Sequence, residues 1–254
     1  MGVLLKSFCI TDKGKVRKIN QDSVGVFKNQ NQQLLAVVAD GMGGHQAGEI
    51  ASHLVIDYLE ENWKKNDAYL SEEQAIKWLK EHIKEINNEI FNKGQAEKDC
   101  KGMGTTVVAA ICEDNFITIA HVGDSRGYLY HENKLIQVTE DDSLVNELVK
   151  SGQITEEDAK FHPRKNVLLK ALGTELNQEA FVKSIPFKPN DKLMLCSDGL
   201  SNKIDYPVLE ENLNHDNLKE LSESLVSMAN EYGGEDNISI VFVHHVEEAG
   251  VLEC

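Results

Sequence analysis

Residues 105–138 read TTVVAAICEDNFITIAHVGDSRGYLYHENKLIQV. Four apolar stretches follow one another here: Thr105–Ile111, Phe116–Val122, Gly127–His131 and Lys134–Val138. Each is rich in β-branched and aromatic residues, and only a few polar or Gly residues part it from the next. Successive strands with no helix between them argue against strict βα alternation and for an α+β layered fold with mainly antiparallel sheets.

The flanks extend this reading. Upstream, Leu34–Ala39 is a continuous apolar run, as expected of a strand buried on both faces. Residues 46–64 then place Ala47, Ile50, Ala51, Leu54, Val55, Tyr58 and Leu59 at helical spacing. Residues 72–93 do the same with Ile76, Leu79, Ile83, Ile86 and Ile90, and Ser71 to Gln74 fits a capping box at the start. Downstream, strands are expected at 180–186 and 192–197, a helix at 218–232 stopped by Gly233-Gly234, and a long last strand at 237–246. Residues 139–170 are polar and irregular and read as a surface excursion, with Thr155-Glu156-Glu157-Asp158 capping a short helix inside it. No repeat, low-complexity tract or linker divides the chain, so residues 1–254 are expected to form one domain.

A composition 41% apolar and 27% charged is that of a folded protein, and the net charge of −16 excludes nucleic acid and anionic membranes as natural partners. No run is apolar and long enough to span a bilayer. Lys6 interrupts any signal-peptide core, and Met1-Gly2 lacks the Ser or Thr at position 6 of a myristoylation site. A cytoplasmic, monomeric protein is expected. The cysteines, Cys9, Cys100, Cys112, Cys196 and Cys254, are scattered, odd in number and without a CxxC pair, as reduced thiols would be.

Chemistry gathers on aspartates at strand ends. LLAVVAD ends at Asp40, LMLCSD at Asp198 and ITIAHVGD at Asp124, while Asp236 and Asp22 open strands. A single Asp-Gly is usually a turn. Here the acids recur after strongly apolar strands, where five half-buried carboxylates would repel one another unless cations balanced them. Two divalent ions bring +4 and three bring +6. Hard ions such as Mg²⁺ and Mn²⁺ take carboxylate oxygens and water, which suits this set. A dinucleotide loop at Gly41 fails because Gln46 stands where the third small residue belongs and Asp40 would face the pyrophosphate. Neither a GxxxxGK[ST] loop nor a Cys-x5-Arg signature occurs.

RKINQD (17–22), ADGMGGH (39–45), GMGTT (102–106), HVGDSRGYLY (121–130), CSDGLSNKI (196–204) and GGEDNIS (233–239) resemble, in order and nearly end to end, the motifs of the PPM, or type 2C, metal-dependent protein phosphatases in their bacterial stand-alone form. The resemblance implies a four-layer αββα sandwich, two packed antiparallel sheets flanked by helix pairs, with a flap at about 139–170. It implies two or three divalent ions, Mn²⁺ or Mg²⁺. Asp40 would bridge two of them with help from the Gly41 carbonyl, and Asp198 and Asp236 would hold the second. Asp124 would help with a third, and Asp22 is a further acid of the site. Arg17 would grip the substrate phosphate. A water or hydroxide bridging the metals would attack phosphorus in line, with no phosphoenzyme.

Three positions depart from the family pattern. Met42 stands where eukaryotic members have a histidine proposed as general acid. Bacterial members tend to have Met there and a histidine three residues on, here His45, for which a catalytic role and a hydrogen-bonding or helix-entry role both remain. Gln21 replaces a common Glu, and Asp142 in EDDSLV replaces a common His. Implied substrates are phosphoserine and phosphothreonine proteins, in opposition to a Hanks-type Ser/Thr kinase. Small phosphate esters are the alternative substrate class. A silent phosphoprotein-binding module is the non-enzymatic alternative, which the presence of Asp40, Asp198 and Asp236 disfavours.

Overall fold

The computed structural model describes residues 4–44 and 46–246, so the readings made at Met1-Gly2, His45 and Cys254 fall outside the described residues. Leu34–Ala39 shows how the layers form. The run lies in β3 (Leu34–Met42), and its side chains alternate between two cores. Leu34, Ala36 and Val38 face a second sheet, while Leu35, Val37 and Ala39 face helices. A strand in the middle of such a sandwich has no polar face, which is why its sequence does not alternate.

One sheet runs β2 (Asp22–Lys28), β3, β5 (Val107–Cys112), β6 (Phe116–Val122) and β9 (Phe181–Pro186), with the two-residue β4 (Gly104–Thr105) on the end of β3. The other runs β1 (Leu4–Asp12), β11 (Ile238–Val246), β10 (Lys192–Cys196), β7 (Arg126–His131) and β8 (Lys134–Gln137). All pairings between these described strands are antiparallel. The inner core between the sheets holds Val108, Ala110, Ile119, Leu193, Leu195, Val241 and Val243. The α+β, four-layer αββα expectation holds.

Outside the first sheet lie α1 (Ala47–Lys65) and α2 (Glu72–Ala96), which bury Val55, Leu59, Trp63, Leu79, Ile83, Ile86 and Ile90 against it. The Ser71–Gln74 capping box forms as read. Outside the second sheet α6 (Tyr206–Asn212) and α7 (Leu218–Glu231) bury Leu209, Leu221, Leu225 and Ala229, preceded by the one-turn α5 (Asp198–Ser201). Gly233 ends the segment after α7 at φ +129, as its place in the sequence suggested.

Two expectations need amendment. The strand expected over Thr105–Ile111 is broken at Thr106, which leaves the ladder to bond Asp40. The excursion at 139–170 contains α4 (Glu156–Phe161), capped by Thr155 as read, and also α3 (Leu144–Lys150), which the sequence reading passed over. Neither helix has a fully buried residue, although Leu144, Val145, Leu148 and Val149 of α3 share one half-buried face.

Candidate active site

Asp40, Asp124, Asp198 and Asp236 meet at one end of the sandwich, where with Arg17, Gln21, Gly41, Met42 and Thr106 they line a cleft of about 240 Å³. Each is delivered differently. Asp40 lies in β3 two residues before its end, and its main chain is pinned by Thr106: Thr106 N–H donates to Asp40 O at 2.9 Å, and Asp40 N–H donates to Thr106 Oγ1 at 3.1 Å. Thr106 is in turn 2.7 Å from Ser125 Oγ. With the backbone committed, the Asp40 carboxylate is left for the cleft. Asp198 does not end a strand as expected but opens α5, and Asp236 stands two residues ahead of β11. Asp124 sits between β6 and β7.

The glycines after Asp40 and Asp198 are not turn residues. A Cβ on Gly41 would stand 2.1 Å from Gly48 O in α1, and one on Gly199 would stand 1.9 Å from Asn237 O. Both Asp-Gly pairs mark backbone-to-backbone contacts that draw a helix start and a neighbouring strand end against the acid. That contact is what the recurrence of the dipeptide encodes.

Asp22 has a different place from the other acids. It pairs across the sheet with Asp40 but lies beneath the cleft, 4% exposed. Its Oδ2 accepts from Ser197 Oγ and Ser239 Oγ, each at 2.7 Å, while Oδ1 is buried without a partner. Arg17 reaches the cleft because Asn237 clamps its loop. Asn237 Nδ2 donates to Lys13 O and Ile19 O, and Asn237 Oδ1 accepts from Gln21 N–H. Arg17 Nη2 lies 2.7 Å from Asp236 Oδ2, the only cation in direct contact with these acids among the described residues.

Burial, before any neighbouring charge, raises the carboxyls. Asp22 is pushed up to about 7, against two serine hydrogen bonds that work the other way. Asp124 also rises to about 7, through burial and then the charge of Asp198. Asp40 rises well above the usual range through burial, then Asp22, Asp198 and Asp124, and Asp198 rises through burial and then Asp236. Such a set is short of positive charge.

Whether divalent ions fit is answered by the donors. Every acidic group offered is a hard oxygen, one buried carboxylate oxygen has no partner, and the shared charge is uncompensated except at Asp236. Among the described residues no three acidic, His or Cys side chains are already gathered as ligands around one ion would be. The donor set fits hard divalent cations.

The family model of protein phosphatase 2C matches residues 13–240. The chain belongs to the protein phosphatase 2C family. It is 47% identical over 234 residues to the serine/threonine phosphatase stp of Listeria monocytogenes, covering 92% of this chain and 93% of that one. The structure of serine/threonine phosphatase Stp1 from Staphylococcus aureus superposes with a TM-score of 0.91 at 34% identity, over 97% of each chain. The catalytic domain of the serine/threonine phosphatase PstP, solved with two manganese ions, superposes at 0.85 and 34% identity, over 97% of this chain and all of that one.

Within this family member, sequence reading missed several residues that set the site. Thr106, Ser197, Ser239 and Asn237 sit inside the recognised motifs GMGTT, CSDG and GGEDNIS but carry no charge to draw notice. Asn166 and Leu168, from the excursion, also line the cleft. Nothing in their local sequence signals that position. Among the described residues no helix is long and apolar enough to cross a membrane.

Proposed function

We propose that this chain hydrolyses phosphoserine and phosphothreonine in proteins with the help of divalent metal ions. The observation that carries the reading is the meeting of Asp40, Asp124, Asp198 and Asp236 with one arginine in a single cleft. Asp40 with the Gly41 carbonyl, and Asp198 with Asp236, would hold two ions, Mn²⁺ or Mg²⁺. Asp124 would serve a third. When bound, such ions supply positive charge to the phosphoryl group and a water acidic enough to act as nucleophile near neutral pH.

The chain's own residues divide the remaining work. Arg17 binds the phosphate oxygens through its guanidinium fork, for which Nη2 turns away from Asp236 while Nε stays near Glu235 O, now 3.3 Å away. Asp22, buried and held by two serines, adds a carboxylate under Asp40 whose charge bound cations would offset. Asn237 and Thr106 fix the backbone positions from which the acids project. His45 is the candidate proton donor to the leaving group, on sequence grounds.

Residues 1–254 would form one phosphatase domain with a flap at about 139–170. Phosphorylated proteins are the substrates, among them a Ser/Thr kinase that the enzyme opposes. The chain would act as a cytoplasmic monomer, since it needs no partner to complete its site, and its net charge of −16 disfavours nucleic acid and anionic membranes as partners. The test is phosphate release from a phosphothreonine peptide with Mn²⁺, with Mg²⁺ and with excess EDTA. Metal-dependent release abolished by EDTA is expected. No release from a folded protein with either ion would refute the reading, and faster turnover of small aryl phosphates than of phosphopeptides would replace its substrate class.

A further inference from the structure

In the segment that enters the excursion, residues 140–142 are fastened to the body of the protein and Ser143 to the excursion itself. His121 Nε2 lies 2.7 Å from Glu140 O, and Arg126 donates to the Asp141 carboxylate from Nε and Nη2 at 2.9 and 2.7 Å. Ser143 caps α3 and bridges to Leu168. Asp142 makes contacts in two directions. Toward the body, its N–H donates to Gly123 O at 2.9 Å and its Oδ2 accepts from Gly123 N–H at 3.2 Å. Toward the far end of the excursion, its Oδ1 lies 3.2 Å from Lys170 Nζ and its carbonyl accepts from Leu169 N–H at 2.8 Å.

Gly123 immediately precedes Asp124, and residues 166–168 between Lys165 and Leu169 supply Asn166 and Leu168 to the cleft. One side chain therefore joins the turn that carries a cleft acid to Lys170, at the far end of the segment that helps line the cleft. A carboxylate can do this because it has two acceptor oxygens. The histidine common here in the family offers one acceptor nitrogen when neutral and none when charged, so it could not serve a backbone N–H and a lysine together.

We propose that Asp142 is a positioning residue, with Oδ2 holding the Gly123–Asp124 turn and Oδ1 holding Lys170 so that the flap stays seated over the cleft. Its effect on turnover rests on the phosphatase reading, but its effect on the protein does not. The two oxygens predict separable consequences. The Lys170 pair is half exposed, with side-chain exposures of 48% and 19%, so it contributes modestly to seating. The bond to Gly123 is charge-assisted and lies closer to an acid of the site.

The test uses the full chain with Lys170→Met, Asp142→Asn, their double variant, and Asp142→Ala. Asn keeps an oxygen for Gly123 N–H but loses the charge that Lys170 meets. In metal-free protein, hydrogen exchange at the Leu144 and Leu169 amides is expected to rise about threefold in Lys170→Met and in Asp142→Asn, and no further in the double variant. Mn²⁺ alone, titrated calorimetrically, is expected to bind those variants as it binds the wild type. It should bind Asp142→Ala about tenfold more weakly, since only that variant frees the Gly123 N–H. KM for a phosphothreonine peptide is expected to rise with the exchange rate while kcat of Lys170→Met on a small aryl phosphate holds. Unchanged exchange, additive effects in the double variant, or equal Mn²⁺ affinity in Asp142→Ala and Asp142→Asn would each overturn the proposal. Absence of phosphate release by the wild type would sink the phosphatase reading instead, leaving the exchange and Mn²⁺ results to judge Asp142.

Discussion

Replacing Asp22 by Asn should make the metal-free protein more stable at alkaline pH, although it damages the site. Asp22 is 4% exposed and its carboxyl is pushed from 3.8 up to about 7, chiefly by burial. A carboxyl raised in the folded state holds its proton there and gives it up in the unfolded chain. Its contribution to stability is therefore fully present below pH 3.8 and is lost as pH rises through about 7. The loss across that window is on the order of 4 kcal/mol, from roughly three pH units at about 1.36 kcal/mol each. Asn has the same shape, and its amide oxygen can take the two serine hydroxyls that now meet Oδ2. Its NH₂ falls where Oδ1 has no partner, which costs about 1–3 kcal/mol.

The balance is a gain of about 2 kcal/mol at pH 8, or a rise in Tm of about 4–8 °C for a chain of this size. Near pH 4 the wild-type acid is protonated and only the cost of the unpartnered amide is left, so the wild type should be the more stable by about 1–3 kcal/mol. Thermal unfolding in EDTA at pH 8, 6.5 and 4.5 measures this directly. Adding Mn²⁺ at pH 8 should reverse the order, because ions that bind only the folded state stabilise the wild type more. A variant no more stable than the wild type at pH 8, or one whose advantage persists unchanged at pH 4.5, would refute the argument that Asp22 is a buried charge awaiting a cation.

Asp40→Asn should abolish metal-dependent phosphate release while leaving a folded protein whose Tm in EDTA equals or exceeds that of the wild type, since burial and three neighbouring acids raise this carboxyl as well. Near-normal turnover would remove Asp40 from the metal site. Gly199→Ala should cost about 1–3 kcal/mol in urea unfolding, because its Cβ would lie 1.9 Å from the Asn237 carbonyl and the backbone must give way. A variant as stable as the wild type would show that α5 and the start of β11 need not touch.

The layered fold was legible because its strands run through the middle of a sandwich. Leu34–Ala39, Val107–Cys112 and Phe116–Val122 are apolar at nearly every position, and the two cores take alternate side chains from each. Helices α1, α2 and α7 are long enough to carry a stripe over several turns. Helices α3, α5 and α6 are not: seven residues or fewer make at most two turns, and α3 buries none of its side chains. The local signals are short: Ser143 caps α3, whose Leu144, Val145, Leu148 and Val149 share one face, and Pro207 stands in the first turn of α6.

The site was legible as a list of acids but not as an arrangement, and the difference lies in what strand pairing adds. Asp22 and Asp40 are eighteen positions apart in the chain, and only the β2–β3 register sets them side by side. Nothing local says that one is a cleft acid and the other lies beneath it, held by Ser197 and Ser239 from the opposite sheet. Asp198 and Asp236 depend on a similar long-range fit. Ser197 N–H donates to Ser239 O at 3.1 Å, Ser239 N–H donates to Ser197 Oγ at 3.0 Å, and Gly199 lies flat against Asn237. The same two serines thus fasten the start of α5 to the start of β11 and carry the hydrogen bonds of the buried Asp22. Charge in the cleft and cohesion between the sheets are consequently coupled at Ser197 and Ser239: loss of either hydroxyl removes a donor from an uncompensated carboxylate, and loss of the Ser197 hydroxyl also removes the acceptor of Ser239 N–H at the junction that brings Asp198 to Asp236.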